Sequence, residues 1–203
     1  MSNNISLYIA AYNAEKTIEK SIKSILQQTL KPKEIIIIND CSTDKTLNLL
    51  KKFNQIKIIN NKKNYGLAKS RNIALKYSKY NFLASIDSDV VCKKNWLETL
   101  FNTMVKKKAD LIGGKLIDKY IKEPANHWRS YYLKQNWGDK QINNPQFVFG
   151  ANFLLNKKKV KNLNIKYNEA FRTNGEDVNF SNILKSKNCN LYYEPRAICY
   201  HYQ

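Results

Sequence analysis

The sequence predicts an α/β fold: a single Rossmann-like, mostly parallel sheet flanked by helices. Three observations carry that expectation. Strand-like and amphipathic helical segments alternate through the first half of the chain, the pattern of right-handed crossovers over a parallel sheet. One segment, EIIIIND, is a continuous β-branched run, as in a strand buried on both faces. Polar residues collect at the carboxyl ends of these apolar segments, where open parallel sheets bind their ligands.

The elements follow in order. ISLYIAAY (Ile5–Tyr12) reads as a first strand. Next comes AEKTIEKSIKSILQQT, with apolar residues Ile18, Ile22, Ile25 and Leu26 at helical spacing. EIIIIND is the second strand, and STDKTLNLLKKF a helix for which Ser42 or Thr43 is placed as the cap. IKIINN, GLAKSRNIALKYS and NFLASID supply a third strand, a third helix and a fourth strand. NWLETLFNTMVKKK and ADLIGG add a further helix and strand. From Asp118 to Pro145 the periodicity loosens and aromatics accumulate, among them His127, Trp128, Tyr131, Tyr132 and Trp137. A stretch of that length without regular pattern points to function. FVFGANFLLN restores a strand, EDVNFSNILKSK reads as a late helix, and ICYHYQ closes an apolar strand-like stretch.

Bulk properties narrow the class. A chain of 203 residues, 43% hydrophobic and 12% aromatic, makes one domain with a sizeable core. The longest purely apolar run, Ile35–Ile38, is far too short to cross a bilayer, and MSNNISLYIA has no secretory pattern. Cys41, Cys92, Cys189 and Cys199 show no paired spacing and read as free thiols, so a cytoplasmic setting is expected. With 35 basic against 16 acidic residues, the net charge is +19. The lysines are scattered without interleaved stacking aromatics, and only four of the 35 are arginine, the residue favoured for base readout. Solvated lysine faces are therefore expected rather than a nucleic-acid groove, with attraction to anionic headgroups or phosphorylated substrates as a weaker function of the charge.

The polar strand ends converge. The first strand finishes in Ala10, Ala11, Tyr12 and Asn13, the second in Asn39 and Asp40, and the fourth in Asp87, Ser88 and Asp89. Two carboxylates separated by one serine repel each other and resist desolvation, so a divalent cation is the first candidate to accompany them. The turn after the first strand, AAYNAEKT, lacks the glycines of a dinucleotide-binding loop, and no GxxxxGK[ST] occurs. A D-x-D crevice suited to a metal-bridged diphosphate remains.

Five stretches, YIAAYNAEKTIEKSIKSILQQT, EIIIINDCSTDKT, NYGLAKSRNIAL, SIDSDV and GEDVNF, resemble in order and spacing the family 2 glycosyltransferases with the A-type glycosyltransferase fold. The resemblance runs from Ile5 to His201. It implies one domain over 1–203, with 1–117 as the nucleotide-sugar half and 118–203 as the acceptor and catalytic-base half. It further implies an inverting, metal-dependent transferase that moves a sugar from a nucleotide-diphospho-sugar, most plausibly a UDP-sugar, to a glycan or lipid-linked saccharide. Peripheral contact with an anionic membrane surface, and no nucleic-acid partner, go with that reading.

The resemblance also assigns roles. Asp40 would accept a hydrogen bond from the nucleobase, with Ala10 and Tyr12 bordering the base. Lys69 and Arg71 would lie near the diphosphate. Asp89 would bind Mn²⁺ or Mg²⁺ directly, while Asp87, beside Ser88, faces the ribose or a metal-bound water. Asp177, paired with Glu176, would be the general base, and His201 would close the metal site as the tail orders over the donor. Asp44 is read as first-turn helix charge. The chain departs from the family pattern at Asn39 and Cys41, and it lacks the Q-x-x-R-W of processive synthases, which favours single-sugar addition. The aromatics of 116–140 either stack on an acceptor sugar or pack the domain. A nucleotidyltransferase, which would need a glycine-rich first loop, and a non-catalytic polyanion- or nucleic-acid-binding domain are the competing classes.

Overall fold

The computed structural model describes residues 4–119 and 135–202. The expected alternation is present: β1 (Ile5–Ala11), α1 (Ile18–Leu26), β2 (Glu34–Asn39), α2 (Thr46–Leu50), β3 (Lys57–Asn60), α3 (Leu67–Tyr77) and β4 (Phe82–Asp87). They are followed by β5 (Val90–Cys92), α4 (Trp96–Lys107), β6 (Leu111–Lys119), β7 (Ile142–Asn143), β8 (Asn152–Asn156), α5 (Lys157–Asn162), α6 (Glu176–Ser186) and β9 (Leu191–Tyr202). The aromatic residues His127, Trp128, Tyr131 and Tyr132 lie outside the described residues.

One mixed sheet runs in the order β3-β2-β1-β4-β8-β6-β9-β5, with β7 beside β9. The first four strands are parallel, as the alternation requires, and β8 enters antiparallel to β4 and β6. The period of two divides each central strand between two cores. Ile5, Leu7 and Ile9 of β1, Ile35 and Ile37 of β2, and Ala84 and Ile86 of β4 pack against α1 and α4 through Ile18, Ile22, Trp96 and Leu100. Tyr8, Ile36, Ile38 and Leu83 face the other side, against Ala68 and Ala74 of α3 and Phe180 and Leu184 of α6. The isoleucine run is thus buried on both faces, each side chain contributing about 1.5–3 kcal/mol relative to exposure.

A break in the β6–β9 ladder shapes the C-terminal half. Leu191–Glu194 run beside Leu111–Gly114, the register shifts between Gly114 and Lys115, and Ile198–Tyr202 run beside Lys115–Lys119. Gly114 permits this close approach, since a Cβ there would stand 2.2 Å from the Ala197 carbonyl oxygen. Asn152 stitches the same point: it accepts from Trp96 Nε1 at 2.6 Å and donates to the Lys115 carbonyl at 3.1 Å. Beyond the shift, β9 pairs with β5, setting His201 opposite Val90. Cys92 lies opposite Cys199, and all four cysteines are free thiols.

Candidate functional site

The crevice forms because register aligns the strand ends. Ala10 stands opposite Asp87, Ala11 opposite Asn39, and the Asp40 N–H donates to the Ala11 carbonyl at 2.8 Å. Tyr12, half exposed, follows directly. The loops beyond are tied together by short polar side chains: Thr46 Oγ1 accepts from Ala14 N at 2.8 Å, and Asn13 Oδ1 from Thr43 N at 2.8 Å. Ser42 and Thr43 therefore serve this stitching instead of capping α2. Asp44 accepts from the Glu15 and Thr46 amides at 3.0 and 2.9 Å, which holds its pKa below the ordinary value although burial works against this.

Arg71 is the organising group. Its side chain is 1% exposed, and its guanidinium meets five acceptors. These are Glu176 through Nε at 3.2 Å, Tyr8, Ser85 and the Gly150 carbonyl through Nη1 at 2.9, 3.2 and 2.8 Å, and Asp87 through Nη2 at 3.3 Å. Burial alone would lower its proton affinity, but Tyr8, Asp87, Tyr167 and Glu176 reverse that and keep it charged. Arg71, expected near the diphosphate, has its guanidinium engaged by these five protein acceptors. It acts by holding other groups, and helix position 71 buries it because α3 packs that face on the sheet.

The acids around it are strained by burial. Asp87 is pushed above the ordinary carboxylate value first by desolvation; Arg71 opposes this, and Asp89 adds to it. Glu176, 3% exposed, is raised for the same first reason, with Arg71 opposing and Asp177 adding. Asp177, in the first turn of α6, is fixed differently. Its Oδ2 accepts from Gly150 N at 2.9 Å and its Oδ1 from Val178 N at 2.8 Å. Gly150 thus touches both halves of the site, its carbonyl on Arg71 and its amide on Asp177.

On the other flank, His201 Nε2 stands 3.2 Å from Asp89 Oδ2 and its Nδ1 3.3 Å from Asp118 Oδ1. Burial would lower the imidazole pKa, but its hydrogen bonds to Asp118 and Asp89 outweigh it and raise it to about 9. The expectation of a tail that orders over a donor is overturned: β9 already clamps His201 between β5 and β6, and Tyr202 N donates to the Asp89 carbonyl at 2.9 Å. Among the described residues no three His, Cys, Asp or Glu side chains could hold a metal ion on their own. A cation between Asp89 and His201 would have to displace the proton that Nε2 shares with Asp89; the pair would then offer one oxygen and one nitrogen to Mn²⁺ or Mg²⁺, with Nδ1–H held by Asp118.

Two expected site residues face elsewhere. Asp40 is buried, and its carboxylate already accepts from Asn61 Nδ2 at 2.7 Å, Tyr65 N at 3.0 Å and Gly66 N at 2.8 Å. Most of its acceptor capacity is spent on ordering the loop before α3, so its first role is to anchor that loop. Lys69 pairs with Glu169 at 2.9 Å, on the outer side of α3. Two residues along a helix lie on nearly opposite faces, so Lys69 is turned from the crevice that Arg71 serves. Sequence reading missed Tyr8, Ser85, Gly150 and Asp118, which carry no motif and become site residues only through register. Tyr167, stacked on Phe180 with ring centroids 4.0 Å apart, is likewise visible only in three dimensions.

Comparisons with known proteins agree with this geometry. The family model described as Glycosyl transferase family 2 matches residues 6–164. Over 194 residues the chain is 27% identical to the glycosyltransferase GlyG of Streptococcus pneumoniae, covering 86% of this chain and 62% of that protein. Over 87 residues it is 46% identical to WfaP of Escherichia coli, a UDP-Glc:alpha-D-GlcNAc-diphosphoundecaprenol beta-1,3-glucosyltransferase, covering 42% of this chain and 35% of that one. The crystal structure of residues 1–349 of Staphylococcus aureus TarS in complex with UDP superposes with a TM-score of 0.79 at 20% identity, over 98% of this chain and 60% of that one. The chain thus spans about a third to three-fifths of the length of these relatives. Its mixed α/β sheet has the A-type glycosyltransferase architecture, and the chain belongs to glycosyl transferase family 2.

Proposed function

We propose that the chain transfers a sugar from a nucleotide-diphospho-sugar, a UDP-sugar in the first instance, to a hydroxyl of a glycan or lipid-linked saccharide, with inversion at the anomeric carbon. The observation that carries this reading is the single Arg71 hub that joins Asp87 of the D-x-D to Glu176, beside the fixed Asp177. The printed activity of the Escherichia coli relative and the UDP bound to TarS support the donor and acceptor classes.

Ala10 and Tyr12 border the nucleobase, Asp40 meets it with the acceptor capacity its loop contacts leave, and Asp87 faces the ribose beside Ser88. Asp89 and His201 are the groups that would hold a divalent cation, Mn²⁺ or Mg²⁺, with diphosphate oxygens as its remaining ligands. When bound, that cation supplies the positive charge that offsets the departing nucleoside diphosphate. Asp177 takes the acceptor hydroxyl's proton while the hydroxyl oxygen bonds to the anomeric carbon and the carbon–diphosphate bond breaks. The Gly150 and Val178 amides keep that carboxylate aimed, and one displacement without a covalent nucleophile inverts the centre. Residues 1–117 carry the donor side and 118–203 the acceptor and base side. A lipid-linked acceptor would bring the protein to an anionic membrane face, which its charge of +19 favours. Among the described residues no helix is long and apolar enough to cross that membrane.

Thermal-shift titration of UDP-sugars with and without Mn²⁺ tests the reading. Stabilisation that requires both nucleotide and metal, and is lost in Asp89→Ala, is expected. Metal-independent binding, or none, would contradict it.

A further inference from the structure

A groove of about 870 Å³ lies on the outer side of α3, between that helix, the end of β3, α5 and residues 164–169. Its apolar base is formed by Ile59, Ile73, Val160 and Ile165, which belong to the second core. Seven of its twenty lining residues are lysine, against 31 lysines in 203 residues overall, so the groove is enriched about twofold beyond the chain's general basicity. α3 contributes Lys69 and Lys76, α5 contributes Lys157 and Lys161, and the connecting segments contribute the rest. Glu169, the single acid among the described lining residues, is engaged by Lys69. Like charges are crowded here: Lys157 is lowered from its ordinary pKa first by burial, and Lys161 lowers it further while Glu34 opposes. Four asparagines, including Asn72 and Asn164, complete the lining.

We propose that this groove binds an anionic oligosaccharide. The lysines would meet its carboxylate or phosphate groups and the apolar base the C–H faces of its rings, while Asn60, Asn61 and Asn72 are engaged in holding the walls. Two alternatives fit less well. A single-stranded nucleic acid needs open aromatic faces and favours arginine. The groove holds no arginine, and lysines stand over both of its tyrosine rings, of which Tyr77 stays about half exposed. Lys57 and Lys76 stand 5.7 and 5.5 Å from the Tyr77 ring, and Lys63 stands 5.5 Å from the Tyr65 ring. A planar bilayer meets a convex basic face more readily than charges set around a recess. The groove adjoins the crevice through Asn60, which accepts from Asn39, and through Asn61 and Tyr65, which anchor Asp40, so the lysines changed below are chosen away from these three.

The test is binding of the full chain to fluorescent oligogalacturonate, with neutral maltodextrin of equal length, single-stranded RNA and phosphatidylglycerol vesicles as parallel probes. The variant combines Lys76→Glu, Lys161→Glu and Lys166→Glu. Wild type is expected to bind the acidic oligosaccharide in a salt-dependent manner and not the neutral one. The variant should lose about tenfold or more of that affinity while keeping its thermal stability and its response to UDP and Mn²⁺. No binding to oligogalacturonate, or an equal affinity in wild type and variant, would overturn the proposal. So would a matching loss by the variant for RNA or for vesicles. Because the donor response is read separately, failure of the donor reading leaves this result intact.

Discussion

The two acidic pairs of the crevice are built alike and held differently. Asp87 closes β4 and Asp89 sits in the turn that follows; Glu176 and Asp177 open α6. In each pair the first carboxylate is tied to Arg71; Glu176 is buried and Asp177 partly exposed, whereas Asp87 and Asp89 are both partly exposed and differ only in their partners. Asp89 leans on His201, and Asp177 on two backbone amides. Adjacent carboxylates therefore divide the work: one is sunk into a fixed ion pair that sets the geometry, and its neighbour keeps acceptor capacity for chemistry. Spacing decides which is which. Asp87 ends a strand while Asp89 lies in the turn beyond it, free of the strand's alternation, and at a helix start consecutive residues point about 100° apart. One arginine can reach the inner member of both pairs only because α3, β4 and α6 meet at Gly150.

The division can be broken at several points. Asp177→Asn removes the proton acceptor at the cost of one of the two backbone amide contacts, since asparagine keeps a single acceptor oxygen. Transfer should fall by at least about a hundredfold with donor affinity unchanged, measured by single-turnover kinetics beside UDP titration. Near wild-type turnover would remove Asp177 from the reaction. Arg71→Lys replaces a five-acceptor fork with a point charge and leaves buried acids underpaired. A loss of about 3–5 kcal/mol in urea unfolding is expected, with activity falling in proportion to the folded fraction and beyond it. Gly150→Ala is a milder attack on the same junction. A Cβ there would stand 2.5 Å from Arg71 Nη2 and 3.3 Å from the Asp177 Cβ, so turnover should drop more than donor affinity.

A buried acid far from the crevice sharpens the contrast from outside. Glu194 is 0% exposed and accepts from Thr103, Gln141 and Arg196. Burial alone would raise its pKa, but those hydrogen bonds win and lower it from 4.5 to about 2. A depressed carboxylate contributes stability that is present above its unfolded value and disappears as pH falls through the folded one. The acid limb of wild-type stability should therefore steepen between about 4.5 and about 2, and Glu194→Gln should flatten it by a small amount in pH-dependent unfolding.

Much of this was legible in the sequence, for identifiable reasons. The isoleucine run of β2, the helical spacing in α1 and the polar strand ends are local patterns, and each appears where the pattern puts it. The D-x-D, the E-D pair and His201 are also found together at one end of the sheet. Contacts set by register were not legible. Nothing local marks Tyr8 or Ser85 as partners of Arg71, and Gly150 carries no signal apart from being one of six glycines. The exposure of charged side chains misled in one direction. Arginine and lysine two residues apart on α3 read alike in a string, yet one is buried among acids and the other pairs with Glu169 on the outer face. The early ordering of β9 escaped notice because the tiny strand β5, which pairs with it immediately after the D-x-D, has only three residues.

The central claim is that neighbouring carboxylates split into one that holds and one that reacts. Urea unfolding of Glu176→Gln beside Asp177→Asn tests it most directly. The account predicts a loss of about 3 kcal/mol for Glu176→Gln, which removes a buried negative charge from Arg71, and about 1 kcal/mol for Asp177→Asn, which gives up one backbone amide hydrogen bond. Equal losses, or a larger one for Asp177→Asn, would contradict it.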